Sequence, residues 1–305
     1  MPVSKYLLLL RLYIQQVLVC GGAGYIGSHL VREITKLPDY EVVVFDNMTK
    51  GHSVAVPAGI KLVRGDIRNQ DDLESIFLSF KPDAVFFFVF SSTAALFGMP
   101  DRVPIHEFDT AVPKNPYGDT KLAVETMLKW CDEAWGLKNV CLRYFNACGA
   151  DASGDIGEDH QPESHLIPIV LQVPRGMREK VFINGSDYNT PDGTCVRDYI
   201  HVTDLATAHI KALQHIVKTN TSDKFNLGSG KGYSVKEIIN AARKVTGHPI
   251  PADLTDRRPG DPDTLIAASD RAETILGWKR QYNTIEEIVA TAWNFHQKHP
   301  NGLDH

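Results

Sequence analysis

Residues 17–30 read VLVCGGAGYIGSHL and constrain the fold of this chain more than any other stretch. Val17, Leu18, Val19 and Cys20 have the character of a buried strand and run directly into Gly21, Gly22, Gly24 and Gly27, after which residues 25–34 are apolar and compatible with a helix. A strand that turns on glycines into a helix offers free backbone N–H groups and the positive end of a helix dipole to a phosphate. The glycines divide the work: one makes the turn, one lets backbone approach a pyrophosphate, and one lets the helix sit close to the strand. Nineteen residues beyond Gly27, Asp46 closes a second apolar run, EVVVFD, where a carboxylate can accept hydrogen bonds from an adenosine ribose. A glycine triplet alone would also suit a tight surface turn. Strand before, helix after and acid at that distance together point to a dinucleotide site.

The chain has 305 residues, 43% of them hydrophobic and 23% charged, enough for one large or two modest globular units. A net charge of -5 gives no electrostatic case for nucleic acid or an anionic membrane. The five cysteines form no CxxC pair and no His-linked ligand spacing, so neither a disulfide framework nor a zinc site is expected, and a reducing, cytoplasmic compartment fits. Residues 1–16 open like a secretory signal, with Lys5 before YLLLL, but Arg11 interrupts the apolar run and no small-residue cleavage site follows. They are read as an extension of unassigned role. No apolar run approaches the roughly 20 residues of a membrane span.

Strand and helix patterns alternate up to residue 85, which implies a parallel sheet covered by helices on both faces. Residues 84–94, AVFFFVFSSTA, then form one continuous apolar strand that arrives at once at Ser91, Ser92 and Thr93. Two parallel strands need a crossover of about a dozen residues or more. A unit of roughly 30 residues is missing between Val85 and Val89. Residues 116–130 are a strong helix pattern, and residues 140–145 lead as a strand to Asn146.

On that helix Tyr117 and Lys121 stand at i and i+4, on one face. A phenol of pKa about 10 is a poor base at neutral pH, and a neighbouring cation favours its phenolate. Lys121 with a cationic nicotinamide would bring Tyr117 towards the range general base catalysis needs. Such a pair alone also fits a packed ring beside a solvated amine on any amphipathic helix. Twenty-four residues upstream, Thr93 ends a strand with a hydroxyl able to bind the same substrate oxygen.

With these residues in place, the chain resembles the extended short-chain dehydrogenase/reductases and, within them, the UDP-glucose 4-epimerases (UDP-galactose 4-epimerases). The segments that carry the resemblance are GGAGYIGSH, FDN, GDIRN, SSTAALFG, NPYGDTK, LRYFNACGA, SHLIP, DGTCVRDYIHV, FNLGSG and RRPGD. It implies an α/β fold: a Rossmann-like doubly wound parallel sheet, here lacking one βα unit, with a smaller C-terminal α/β substrate domain. Residues 17–146 with 192–217 would bind NAD, and residues 147–191 with 218–305 the UDP-sugar. Gly21, Gly24, Tyr25, Ile26 and Gly27 would hold the NAD pyrophosphate, Asp46 and Asn47 the adenosine ribose, and Asp66 and Ile67 the adenine end. Thr93 and Tyr117 would be the catalytic pair, with Lys121 on the nicotinamide ribose. Asn146, His165, Leu166, Arg197, Tyr199, Arg258 and Asp261 would form the UDP-sugar site. A guanidinium fork suits a diphosphate, which agrees for Arg197 and Arg258.

The resemblance implies interconversion of UDP-glucose and UDP-galactose by transient oxidation at C4, in a homodimer. A sugar-nucleotide 4,6-dehydratase would need an acid and a base after Thr93, where Ala94 and Ala95 stand. Epimerases for N-acetylated hexoses or UDP-pentoses stay open, since Leu265 is intermediate in size at the position that gates the N-acetyl group. Only 90 residues separate Gly27 from Tyr117, roughly forty fewer than the resemblance implies, and what is lost includes a loop on the nicotinamide and an interface helix. The expectation is a shortened epimerase with impaired turnover. The alternative is a catalytically silent protein that binds NAD or a UDP-sugar.

Overall fold

The computed structural model describes residues 16–86, 89–258 and 260–303. The expected extension therefore lies outside the described residues except for Gln16, which opens strand β1 (Gln16–Cys20). The glycines lead from β1 into α1 (Tyr25–Ile34), and β2 (Glu41–Asp46) and β3 (Lys61–Arg64) follow. Helix α2 (Gln70–Phe80) begins where Asn69 accepts the Asp71 amide at 2.9 Å and ends where Lys81 turns left-handed at φ 52°. Strand β4 (Ala84–Phe86) completes a parallel sheet in the order β3-β2-β1-β4.

The single apolar strand expected over residues 84–94 serves as two strands. Its first half, β4, pairs with β1 from Val17↔Ala84 to Val19↔Phe86. Its second half, β5 (Val89–Thr93), pairs with β6 (Val140–Tyr144) from Val89↔Val140 to Thr93↔Tyr144. With no crossover between them, the halves cannot lie side by side, and the sheet divides into β3-β2-β1-β4 and β11-β6-β5, where β11 is Asp223–Leu227.

Between β5 and β6 runs α3 (Pro116–Trp135), five residues longer than expected; Asn115 caps it by accepting the Gly118 amide at 2.8 Å, and Gly136 closes it at φ 68°. After β6 come β7 (Asn146–Cys148), α4 (Leu166–Leu171), β8 (Val181–Asn184), β9 (Val196–Arg197), β10 (Tyr199–His201) and α5 (Val202–Thr219). Beyond β11 lie α6 (Val235–Thr246), α7 (Asp270–Ile275) and α8 (Ile285–Lys298).

Side chains alternate across each strand. Val17 and Val19 face α1 and α5, in one core that also takes Val140, Leu142, Phe225 and Leu227. Leu18, Val43, Phe45 and Val85 face α2 through Ile76 and Phe80, while Phe90 and Cys141 meet Leu128 of α3 in a separate cluster. Helices thus cover both faces, as the doubly wound reading requires. Residues 218–305, assigned by sequence to the second unit, are divided: β11 pairs with β6 of the first unit, and Ala272, Leu276 and Trp278 enter the first core. A short strand is placed by its ladder partner, and that partner, β6, is 83 positions away. The second core is built by α4, α6 and α8 through Val170, Ile238, Ile239, Ile288 and Val289.

Candidate active site

The turn after β1 is built for close approach. Gly21 is left-handed at φ 74°, and a Cβ on Gly27 would lie 2.0 Å from the Gly21 carbonyl oxygen, so α1 meets the strand at a distance only glycine allows. No side chain caps α1 and no acidic residue stands in its first turn. Gly21, Gly24, Tyr25, Ile26 and Gly27 line a cavity of about 620 Å³. An uncapped helix start in a cavity wall fits a pyrophosphate. Asp46 is buried and braces this turn, accepting the Ala23 amide at 3.0 Å and the Met48 amide at 2.8 Å. Asn47 donates to Asp66 at 3.1 Å, and the Arg68 guanidinium holds the Asp66 carboxyl below its usual range. These residues and the exposed Ile67 follow the ends of β2 and β3, apart from the cavity lining.

Thr93 and Tyr117 line the same cavity. Thr93 ends β5 and accepts the Ala95 amide on its hydroxyl at 3.1 Å, which starts the short turn that α3 rests on. Gly118 makes that contact feasible, because a Cβ there would meet the Ala95 carbonyl oxygen at 2.5 Å. Lys121 reaches inward and donates to the Ser91 carbonyl at 2.9 Å, its ammonium 5.7 Å from the Tyr117 ring centre; burial pushes its pKa down. Beneath it Ser91 meets His209 at 3.0 Å. Because His209 Nδ1 lies 2.8 Å from the Leu205 carbonyl it carries the proton, so Nε2 accepts from the Ser91 hydroxyl, and burial keeps the ring neutral, its pKa down at about 4.

A second cavity of about 220 Å³ adjoins the first, and Asn146, His165 and Arg197 line both. Leu166, Tyr199, Arg258 and Asp261 complete it. Arg197 donates to Asp261 at 2.5 Å, and Asn146 donates to the Asp198 carbonyl at 2.8 Å. The Tyr25 hydroxyl is spent on the Gly149 carbonyl at 2.6 Å, tying α1 to the loop after β7. The Glu158 and Glu163 carboxylates push His165 up to about 10. Glu158, Gly118 and the Ser91–His209 pair were not singled out from the sequence; only Gly118, inside YGDTK, carried a local signal.

A family model described as NAD dependent epimerase/dehydratase family matches residues 17–88, and one described as GDP-mannose 4,6 dehydratase matches residues 86–292. The two matches meet at the β4–β5 seam. A curated UDP-glucose 4-epimerase of Halalkalibacterium halodurans is 50% identical, covering 94% of this chain and 97% of its own. The UDP-glucose 4-epimerase of Streptococcus mutans is 46% identical over 94% of this chain and 98% of its own. This chain belongs to the UDP-glucose 4-epimerase family. A crystal structure of a UDP-glucose 4-epimerase superposes with a TM-score of 0.92 at 43% identity, covering 95% of this chain and all of that one. The Brucella ovis UDP-glucose 4-epimerase, solved in complex with NAD, gives 0.87 at 39% identity over 92% of this chain and 98% of its own. The alignment to the H. halodurans epimerase runs over 325 positions yet uses 94% of a 305-residue chain, so roughly forty positions of that epimerase have no counterpart here. NAD is the cofactor of the fold, and the glycine turn fits it. Among the described residues no helix is long and apolar enough to cross a membrane.

Proposed function

We propose that this chain interconverts UDP-glucose and UDP-galactose with NAD as its resident cofactor. The observation that carries this reading is that one cavity is lined both by the glycine turn and by Thr93 and Tyr117. When bound, NAD supplies reversible oxidation at the sugar carbon to be inverted. Gly21, Gly24, Tyr25, Ile26 and Gly27 hold its pyrophosphate, Asp46 and Asn47 its adenosine ribose, and Asp66 and Ile67 its adenine end. Tyr117 takes the proton of the sugar 4-hydroxyl and later returns it, Thr93 steadies the same oxygen, and Lys121, one turn along α3 from Tyr117, holds the nicotinamide ribose. Inversion requires the hexose to turn over while UDP stays fixed. Arg197 and Arg258 grip the diphosphate, with Asn146, His165, Leu166, Tyr199 and Asp261 around the rest of the nucleotide. The dehydratase reading suggested by the wider family model lacks its extra acid and base, because Ala94 and Ala95 follow Thr93.

The test is Tyr117→Phe in a coupled assay with UDP-galactose. Turnover should fall by about 10²–10⁴-fold, the usual worth of a positioned general base, while NAD retained through purification, read by mass spectrometry, stays at the parent level. Equal turnover in the variant overturns the proposal. A parent chain that retains NAD and turns nothing over supports the silent binding protein instead.

A further inference from the structure

The loop before α4 brings together four side chains that the sequence reading left without a metal role: Glu158, His160, Glu163 and His165. We propose that they bind one divalent transition metal ion of the zinc type. Their ligand atoms all lie within 4.8 Å of one another. Four ligands at about 2.1 Å around a tetrahedral ion stand about 3.4 Å apart. Here His165 Nδ1 lies 2.7 Å from Glu158 Oε1 and 3.3 Å from Glu163 Oε1, and His160 Nδ1 lies 3.3 Å from Glu158 Oε1 and 4.0 Å from Glu163 Oε2, so the separations straddle that value. Two imidazoles and two carboxylates form a borderline donor set whose two negative charges a divalent ion neutralises.

A second observation points the same way. His160 Nδ1 is buried and forms no hydrogen bond, although Glu158 Oε1 is 3.3 Å away. A polar atom buried without a partner is costly, and a ring nitrogen that faces a carboxylate without donating to it is placed to share a cation. The shell is held in position. Glu163 Oε1 accepts the amides of Ser164 and His165 at 2.7 Å each, Glu158 is 5% exposed, and the Tyr25 ring stands edge-on to His160 at 6.2 Å. Four residues separate the two histidines, within the spacing of zinc-ligating pairs, and no helical periodicity marks them. Glu158 and His165 face both cavities, so the ion sits where the two meet.

The experiment uses untagged full-length chain stripped with a chelator and contains no nucleotide, so its failure leaves the proposed epimerase reading untouched. Calorimetric titration with Zn²⁺ should show one ion per chain, and Co²⁺ should give the intense ligand-field absorption of tetrahedral coordination. Glu163→Gln preserves an oxygen for the two amides, and His160→Ala removes a half-buried ring. Each should weaken binding by at least about 100-fold, with the melting temperature of the stripped protein unchanged. Absence of saturable binding, weak octahedral cobalt bands in the parent chain, or equal affinity in parent and variants would overturn the site. Should both variants unfold, the cobalt spectrum of the parent chain decides alone.

Discussion

The same strands build both faces of the parallel sheet, but the faces are covered differently. Towards α1 and α5 the core is unbroken: Val17, Val19, Val42 and Val44 from one half join Val140, Leu142, Phe225 and Leu227 from the other under Leu30, Val31, Leu205 and Leu213. On the opposite face Leu18, Val43, Phe45 and Val85 sit under α2, apart from Phe90 and Cys141 under α3, and Phe77, Leu78, Met127 and Trp130 are left exposed. Cover is thus interrupted on a single face, because Phe86 and Val89 still enter the core beneath α1 and α5. The intact face carries the glycine turn. The thinned face carries α3, and with it Tyr117 and Lys121.

The largest test of that difference is Arg143→Ala. On the thinned face α3 is held by charge as much as by apolar contact: Glu125 accepts from Arg143 Nε at 2.9 Å, from Arg143 Nη2 at 2.5 Å and from the Ser92 hydroxyl at 2.5 Å, with the Arg143 side chain 4% and the Glu125 side chain 9% exposed. Removing one partner strands a buried charge and should cost about 3–5 kcal/mol, read as a lower urea midpoint at unchanged slope. Arg143→Met with Glu125→Leu should recover most of that loss. If Arg143→Ala costs under about 1 kcal/mol, the pair does not hold α3.

The intact face has a liability of its own. Asp204 is buried in the first turn of α5 and accepts the amides of Gln281 at 2.7 Å and Tyr282 at 3.2 Å; burial pushes its pKa from 3.8 up to about 6. The folded chain therefore keeps a proton that the unfolded chain has already lost, and stability should fall as pH rises from about 4 to about 6, by at most about 3 kcal/mol. Denaturation midpoints across that window should slope downward in the parent chain and flatten in Asp204→Asn. A parallel slope in the variant would place the titration elsewhere.

What the sequence disclosed follows from how local each feature is. The glycine turn, Asp46 and the Tyr117/Lys121 pair were legible because strand, turn and helix lie within a few residues and their spacing is the signal. Helix α1 spans the residues its apolar pattern marked, 25–34. The run Ala84–Thr93 read as one strand because nothing in its composition records that its halves pair with β1 and β6. β11 was misassigned because DKFNL is short and its sheet is decided by β6. The Glu125–Arg143–Ser92 network and the Glu158–His165 cluster were invisible for a related reason: segments distant in sequence, or an aperiodic loop, bring them together.

Restoring the missing cover should act on the thinned face alone. Inserting at the β4–β5 seam a βα unit of roughly forty residues, about the number of H. halodurans epimerase positions without a counterpart in this chain, should raise turnover by about 10²-fold, the scale of a 1 Å correction in the position of a catalytic group. NAD retention should rise less than turnover, because the restored loop would reach only the nicotinamide end and the glycine turn for the pyrophosphate is already in place. Unchanged turnover would mean that α3 already stands in its working position without the unit.

The smallest effect isolates the contact that sets Tyr117 against Thr93. Gly118 lies in α3 beside Tyr117, and an added Cβ would meet the Ala95 carbonyl oxygen at 2.5 Å and its carbon at 2.8 Å. Both are backbone atoms of the turn that Thr93 starts, so the clash cannot be relieved by a rotamer change and must lift α3. Alanine favours a helix over glycine by about 1 kcal/mol, so a purely local account predicts that Gly118→Ala stabilises the chain. The contact predicts the opposite for function: Tyr117 moves away from Thr93, and turnover falls about tenfold while NAD retention holds. Melting temperature and turnover measured on the same sample separate the two accounts. A variant that is more stable and equally active would show that the packing of α3 on the Thr93 turn does not govern the phenol, and that the thinned face tolerates more displacement than its geometry suggests.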